Sequence, residues 1–453
     1  MVAFVGSPSS PPLIPGVPAP STSAAARWRL RLVLLVVGWH CLFLASPTLR
    51  NSLGFSGDGG TYPDFIDSLA VLAAAETHHL GGDAFQRMAL DPFHRKHSYS
   101  SWWFALGDWG LTRADNPWFG ALIVLAFAVA VLARLRVRAA GEFWWLLGTA
   151  GSAPLLLATT RANNDLVVFA LLAPLAPCLL HPSRLVRLVG PFLVALAAGL
   201  KYYPLVAGVL LFAEPDPRDR GFRLGVLALL LLTVGLSVAA DLRHFADTQP
   251  TVFGYLGFGA GFGLDVLGVP SAWQGRVGLL FGLGCGLAAF FTRGWQGWLR
   301  RMAGEEQWLQ FVLGAALLAG CFWAGMSWAY RWVFALWLAP FLWRPVEAGP
   351  MPVAARRWWR AARTAYWPAL WGGTAYFLIC ELLQAAGHAP SWRFNLAVWA
   401  LVQAACWLLC GALTVFVGAF AWDGVRGLAQ ALWVPAPDRP SPAPAPLPLA
   451  GPV

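Results

Sequence analysis

Three short stretches of this chain place charged and hydrogen-bonding side chains next to long apolar runs. The first reads RANND at positions 161–165, the second KYYP at 201–204, and the third AYR at 329–331. Ionisable groups within apolar membrane sequence are expensive unless they have partners, so they usually mark a functional site. The candidate binding residues in these stretches are Arg161, Asn163, Asn164, Asp165, Lys201, Tyr202, Tyr330 and Arg331.

Cations that converge in a membrane cavity bind an anion or pair with carboxylates of the protein. Arg161, Lys201 and Arg331 would suit an anionic ligand if they share one side of the membrane. The alternative is mutual pairing, because Arg161 and Asp165 have the i,i+4 spacing, and Lys201 could extend to lipid headgroups. The types of residue alone leave both interpretations open.

Composition identifies the solvent that surrounds these residues. Of the 453 residues, 58% are hydrophobic and only 12% are charged, and the chain contains 26 tryptophans. These values exclude an ordinary soluble domain and indicate an all-α polytopic membrane protein. The net charge of +10 comes largely from short basic clusters beside apolar runs, which is a topology signal and not a nucleic-acid surface.

The basic clusters determine how the apolar runs cross the membrane. If the run from Leu188 to Ala213 crossed once, the later basic clusters would fall on the outside and violate the positive-inside rule. A turn at Lys201–Pro204 avoids this, and Pro204 disfavours a continuous helix there. The sequence therefore predicts about ten crossings plus one outward-facing hairpin, with both termini cytoplasmic. The predicted crossings are 28–45, 117–133, 143–158, 166–180, 222–240, 277–292, 308–324, 328–343, 367–386 and 394–420.

The domain organisation follows from the same patterns. Residues 1–26 and 431–453 are predicted to be disordered tails, because they are rich in Pro, Ser and Ala. Residues 27–430 form one integral membrane domain, and residues 46–116 form its first external loop, which contains a helix.

The central stretches resemble a known family. RANNDLVVFALLAPLA followed by LAAGLKYYPLVAGVLL is similar to paired blocks of GT-C-type bacterial integral-membrane glycosyltransferases. The family named for polyprenyl-phosphate-mannose-dependent mannosyltransferases, glycosyltransferase family 87, is the nearest in motif. The first-loop stretch from Asp58 to Phe85 and the late block AYRWVFALWLAP also resemble it. Tyr99-Ser100-Ser101-Trp102 stands where the family often has Tyr-Pro-Pro.

The resemblance implies a GT-C-like helical bundle in a bacterial plasma membrane, with its active site on the outer face. It implies transfer of a sugar, mannose in the namesake enzymes, from a polyprenyl-phosphate donor to a glycolipid or glycan acceptor. A carboxylate must then accept the proton of the acceptor hydroxyl, and we expect Asp64, at the N-cap of the loop helix, or else Asp58, to do so. The binding residues above would hold the phosphate and the sugar, with membrane lipids around them and no nucleic-acid partner.

No cofactor is predicted. The histidines at 78, 79, 94 and 97 lack a specific ligand spacing, although a divalent metal beside Asp83 or Asp91 stays open. Two other functions remain open at this stage: a transporter or flippase for an anionic lipid or sugar, and a non-catalytic assembly subunit. A transporter would show internal repeats and charges near the midplane, and no repeat is evident.

Overall fold

The computed structural model describes residues 22–53, 64–134, 137–213, 217–239, 241, 244, 257–291, 295, 298–299, 302, 304–324, 327–344 and 351–433. Within these residues all regular secondary structure is helical apart from one short pair of strands, which confirms the all-α prediction. The predicted tails lie outside the described residues, except that the first helix already begins at Thr22 and the last ends at Trp433.

The helices are numbered here in chain order. The first group comprises α1 (Thr22–Ala45), α2 (Pro47–Ser52), α3 (Ile66–His79), α4 (Ala105–Asp108), α5 (Asn116–Arg134), α6 (Ala140–Ala150), α7 (Ala153–Thr160), α8 (Asn164–Leu172) and α9 (Leu175–Leu179). The second group comprises α10 (Arg184–Lys201), α11 (Pro217–Val238), α12 (Ala260–Val266), α13 (Ser271–Ala288), α14 (Glu306–Trp323), α15 (Ala335–Trp343), α16 (Val353–Ala385) and α17 (Trp392–Trp433). Among the residues described, the 3-10 helices are Ser101–Phe104, Arg113–Asp115, Tyr203–Ala213, Ala289–Phe291 and Ala329–Phe334.

Five stretches within the described residues are long and apolar enough to cross a membrane. A sixth crossing is obtained if the bent pair formed by α7 with the helical stretch Asn164–Leu179 counts as one span. The five are Ala25–Ala45, Arg113–Arg134, Asp219–Val238, Ser271–Phe291 and Trp392–Gln430. The predicted span 143–158 is interrupted between α6 and α7, and 328–343 combines a 3-10 helix with α15. The count of about ten crossings therefore stays a prediction for these shorter segments.

The predicted return of the chain near Lys201 is present. Helix α10 ends at Lys201, and the 3-10 helix Tyr203–Ala213 follows after a break at Tyr202. Arg187 at the start of α10 donates from Nη2 to Asp219 Oδ2 near the start of α11, at 2.6 Å. Because the starts of α10 and α11 are neighbours, the 3-10 segment must bring the chain back along α10.

The part of the first loop around Trp102 and Trp103 packs on the end of α10. Trp103 donates from Nε1 to the carbonyl oxygen of Leu200 at 3.1 Å, and Trp102 donates to Ser237 Oγ at 3.0 Å. A Cβ at Gly199 would lie 2.3 Å from the Trp102 ring, so only glycine permits this approach. Both indoles thus serve to join the loop to the membrane domain.

A two-residue antiparallel strand pair directly precedes the segment that contains Tyr330 and Arg331. Strands β1 (Gly257–Phe258) and β2 (Ser327–Trp328) pair with Gly257 opposite Trp328 and Phe258 opposite Ser327. The 3-10 helix Ala329–Phe334 begins directly after β2 and presents Arg331. The strand pair therefore sets the position from which Arg331 reaches the centre of the molecule.

Candidate active site

The RANND stretch forms a sharp corner between two helices. Helix α7 ends at Thr160, α8 begins at Asn164, and the helical stretch Asn164–Leu179 is bent by 102° from α7. Ala162 adopts a left-handed backbone with φ of 43°, which allows the chain to reverse its helical course. Asn163 caps α8, since its Oδ1 accepts a hydrogen bond from the backbone N–H of Asp165 at 2.9 Å. The corner exposes both helix ends to other parts of the chain.

A segment of the first loop is bonded to this corner through its backbone. The N–H of Phe65 donates to the carbonyl oxygen of Thr160 at 2.9 Å, and that of Asp67 donates to the carbonyl oxygen of Arg161 at 3.0 Å. These bonds bring the first turn of α3 against the corner and bury the Asp67 side chain. The first loop therefore contributes a carboxylate to the centre of the protein.

Asp67 is the acceptor of the first of two charged clusters. Arg161 donates to it twice, from Nε to Oδ2 at 3.0 Å and from Nη2 to Oδ1 at 2.8 Å. Asn163 donates from Nδ2 to Oδ2 at 2.6 Å, and Arg95 Nη1 lies 3.7 Å from Oδ1. Arg95 is fastened in turn to Asp91, with Nε 2.7 Å from Oδ2. The guanidinium of Arg161 is thus largely occupied by a protein carboxylate.

Asp165 is the acceptor of the second cluster. Its Oδ1 accepts from Lys201 Nζ at 2.5 Å, Arg331 Nη1 at 2.7 Å and the Tyr203 hydroxyl at 2.7 Å. The Asp165 side chain is 0% exposed and that of Lys201 is 6% exposed. Arg331 is held from its other side by Ser327, whose Oγ accepts from Nε at 2.9 Å. Three donors from two distant segments of the chain therefore meet at one buried carboxylate oxygen.

The amide of Asn163 connects the two clusters. Nδ2 donates to Asp67, whereas Oδ1 lies 3.3 Å from Lys201 Nζ. The ion-paired groups of the connected network are four cations and three carboxylates, which leaves one positive charge in excess among the described side chains. A cation left without a full anionic partner at such depth favours an anionic ligand. The four cations of the network are Arg95, Arg161, Lys201 and Arg331, and its three carboxylates are Asp67, Asp91 and Asp165.

Aromatic rings surround the second cluster. Lys201 Nζ lies 5.0 Å from the ring centroid of Tyr99, 5.5 Å from that of Tyr330 and 6.0 Å from that of Tyr203. The guanidinium carbon of Arg331 lies 4.3 Å from the Tyr203 ring. Ring faces attract cations without neutralising them, so this environment holds the ammonium and guanidinium groups while preserving their charge.

The electrostatics of the first loop determine which carboxylate can take a proton. Burial alone would raise the pKa of Asp67, but the charge and hydrogen bonds of Arg161, the charge of Arg95 and the bond from Asn163 hold it below its usual value. A carboxylate with a lowered pKa and both oxygens occupied is a poor general base. Asp64, in contrast, has a side chain that is 61% exposed and lies 3.3 Å from Arg50.

The structure brings together most of the residues that the sequence singled out. Arg161, Asn163, Asp165, Lys201, Tyr330 and Arg331 all belong to the two clusters or contact them. Asn164 is buried beside them, but its amide makes no hydrogen bond with the described residues. Asp58 lies outside the described residues, so the alternative choice of base has no structural description.

Two details differ from the sequence-based expectation. The N-cap of α3 is Phe65 and not Asp64, because a left-handed Phe65, with φ of 60°, separates Asp64 from the helix. The hydroxyl of Tyr202 donates to Asp241 Oδ2 at 3.2 Å, whereas its neighbour Tyr203 reaches Asp165. The break at Tyr202, with φ of 23°, turns the two adjacent phenols toward different partners.

Sequence reasoning did not find Asp67, Arg95, Tyr99 and Tyr203 as site residues. Asp67 did carry a signal, because it begins the apolar run SLAVLAAA and would be costly there without a partner. Arg95 and Tyr99 lie in an irregular segment in which no periodicity indicates a direction for either side chain. Their placement depends on contacts with distant parts of the chain.

No group of three or more His, Cys, Asp or Glu side chains within the described residues is arranged to hold a metal ion. Asp91 is bonded to Arg95, and His97 Nε2 lies 3.1 Å from the carbonyl oxygen of Ser100. The expectation that no cofactor is needed stays a prediction.

The sequence matches no protein-family model and no curated protein sequence. A comparison with solved structures finds the crystal structure of ArnT from Cupriavidus metallidurans in the apo state. The two chains are 14% identical, and the similarity covers 88% of this chain and 78% of that chain with a TM-score of 0.36. A similarity of this degree assigns neither a substrate nor a reaction to the protein.

Proposed function

We propose that this protein is a GT-C-type glycosyltransferase that moves a sugar from a polyprenyl-phosphate carrier to an acceptor on the non-cytoplasmic face of a membrane. The observation that carries the proposal is the meeting of Lys201 and Arg331 at Asp165, connected through Asn163 and Asp67 to Arg161. These three cations come from segments separated by up to 170 positions and were selected from the sequence as an anion site. The sequence resemblance supplies the class of reaction.

In the proposed reaction, Lys201 and Arg331 bind the phosphate of the carrier. The bond between the anomeric carbon and the phosphate oxygen breaks as the acceptor oxygen bonds to that carbon, and the phosphate leaves with the electron pair. Its growing negative charge is stabilised by the ammonium and guanidinium groups, which the Tyr rings and Asp165 hold in place. No nucleotide takes part at this face.

The proton of the acceptor hydroxyl must be removed as the new bond forms. Asp64 is the proposed base, because its carboxylate is exposed and it lies three residues before the buried Asp67. The backbone bonds of Phe65 and Asp67 to the α7–α8 corner hold this segment beside the charged clusters. Mannose as the sugar and a glycolipid or glycan as the acceptor are the proposed partners, by resemblance.

The decisive experiment is a transfer assay with the full chain in membranes and radiolabelled polyprenyl-phosphate sugars. Lys201→Ala and Arg331→Ala should each lower transfer about tenfold or more, because hydrogen bonds to charged groups contribute about 1.5–3 kcal/mol each. Arg87→Ala, which removes an exposed cation of the first loop, is the matched control and should retain activity. Wild-type rates in both site variants would overturn the proposal, and movement of the lipid without transfer would favour a transporter.

The orientation is tested separately. In a chain cleared of native cysteines, single cysteines at Ser183 and Arg218 should both resist an impermeant thiol reagent added from outside. Both positions lie next to the starts of α10 and α11, which are proposed to face the cytoplasm. External labelling of position 218 alone would contradict the outward-facing turn.

A further inference from the structure

The side chain of Asn163 has a donor end and an acceptor end, and the structure uses both. Nδ2 donates to Asp67 Oδ2 at 2.6 Å, and Oδ1 lies 3.3 Å from Lys201 Nζ. A carboxylate accepts hydrogen bonds and cannot donate them when ionised, so Asp67 requires the NH₂ end of the amide. The carbonyl end, which also accepts from the Asp165 N–H at 2.9 Å, is thereby directed to the ammonium of Lys201.

Asp67 is itself held from two other sides. Arg161 binds both of its oxygens, and Arg95 donates from Nη2 to the carbonyl oxygen of Ile66 at 2.9 Å, beside Asp67. Its side chain is 5% exposed. Neither oxygen is therefore free to accept a proton from an acceptor substrate. Burial raises the pKa of this carboxyl, but Arg161, Arg95 and Asn163 together lower it by more.

We propose that Asp67 is a positioning residue that acts through Asn163 to hold the Lys201 ammonium where it binds the carrier phosphate. The first loop thereby determines the geometry of the anion site, although it supplies no phosphate ligand itself. This inference rests on the proposed function, since it assumes that Lys201 binds a phosphate.

A binding measurement separates the two proposals. The probe is farnesyl phosphate, with farnesol as the lipid lacking the phosphate, titrated calorimetrically into the purified full chain in nanodiscs. We expect the wild type to bind farnesyl phosphate more tightly than farnesol, and Asp67→Ala and Asn163→Ala each to lose about tenfold in affinity for farnesyl phosphate alone. Glu76→Gln is the matched control, because Glu76 lies on the same helix and pairs with Arg113 at 3.0 Å, away from Asn163.

A double variant tests whether Asp67 acts through Asn163. If it does, Asp67→Ala, which removes the oxygen that accepts from Asn163, combined with Asn163→Ala should bind farnesyl phosphate no more weakly than either single variant, because both break the same connection. Additive losses would overturn the proposal, as would wild-type affinity in either single variant. Should Asp67→Ala not fold, Asn163→Ser decides alone, since serine keeps an N-cap oxygen for the Asp165 N–H, cannot bridge Asp67 and Lys201, and leaves the Arg161–Asp67 pair intact. A wild-type protein that does not discriminate farnesyl phosphate from farnesol would overturn the proposed function as well.

Discussion

The outer helices of this protein are continuous, whereas its central helices are interrupted. Helices α11 and α13 are continuous over 22 and 18 residues and present exposed leucines, as expected for surfaces in contact with lipid. At the centre, α7, α8, α10 and the late 3-10 helix all begin or end beside the charged clusters. A continuous helix satisfies its own backbone groups, whereas the ends of interrupted helices leave backbone N–H and C=O groups available for a polar site.

The backbone itself marks the difference between the two regions. Among the described residues, the non-glycine positions with positive φ are Phe65, His94, Ala162 and Tyr202. Each lies within two residues of a member of the network: Asp67, Arg95, Arg161, Lys201 or Tyr203. Such conformations cost about 1–3 kcal/mol each and persist where surrounding contacts enforce them. The network and the strained backbone therefore depend on one another.

The largest effect should follow from the proposed base. Asp64→Asn keeps the size of the side chain but cannot accept a proton at neutral pH, so transfer should fall about 10²- to 10⁴-fold while carrier binding remains. The measurement is the initial rate with a saturating donor. Asp83→Asn is the control, because Asp83 is an exposed acid of the same loop. If Asp64→Asn is fully active, Asp58→Asn is tested next, and full activity of both places the base outside the first loop.

The second effect concerns the stability of the central region. Asp165→Asn removes the charge that pairs with Lys201 and Arg331 and should lower the free energy of unfolding by about 3–5 kcal/mol. Glu305→Gln breaks a more exposed pair with Arg344, whose atoms lie 3.2 Å apart, and should cost at most about 1 kcal/mol. Thermal unfolding in detergent compares the two. Equal losses would contradict the central role of Asp165.

A smaller effect separates strained from regular backbone. Ala158→Gly and Ala162→Gly remove the same buried methyl group, from a helix interior and from the left-handed corner, respectively. The first should cost roughly 1–2 kcal/mol, since glycine loses helix propensity as well as burial. The second should cost less, because glycine adopts positive φ without strain. The same thermal assay measures both, and an equal or larger loss at 162 would show that the corner is not strained.

The smallest effect is expected on the outer surface. Leu229 on α11 is 64% exposed, so Leu229→Ala should change the free energy of unfolding by less than about 0.5 kcal/mol. Leu166→Ala, at a fully buried position of α8, serves as the sensitive reference and should lose about 2–5 kcal/mol. A large loss at Leu229 would mean that α11 packs against another protein surface and not against lipid.

The sequence predicted the features that depend on composition and charge distribution. Counting basic clusters required a return near Lys201, and the structure places the starts of α10 and α11 side by side. Grouping the polar residues on one side selected Arg161, Lys201 and Arg331 together, and they lie in one network. These results depend on long segments, for which the sequence signal is averaged over many residues.

The choice between neighbouring residues could not be made in this way. Asp64 and Asp67 both lie at the start of the loop helix, and only the backbone bonds from Phe65 and Asp67 to the α7–α8 corner decide which is buried. Tyr202 and Tyr203 are adjacent phenols whose partners are separated by a single unusual dihedral angle. Local sequence contains no information on contacts made with residues about a hundred positions away.

The order in which the partners of Asp165 leave the ribosome has a consequence for membrane insertion. Asp165 and Lys201 are 36 positions apart, whereas Arg331 follows Asp165 by 166 positions. The acid and the lysine can therefore enter the bilayer together, as a paired helical hairpin, long before the arginine is synthesised. Their pairing offsets the cost of inserting either charge alone, which is about 2.5–3.5 kcal/mol on translocon-insertion scales. Chains truncated after Ala213 should insert normally, and Lys201→Ala should impair insertion of such chains more than loss of Arg331 impairs insertion of the full chain. The acid–lysine pair would thus serve biogenesis first, and Arg331 would complete the site only after most of the chain is in the membrane.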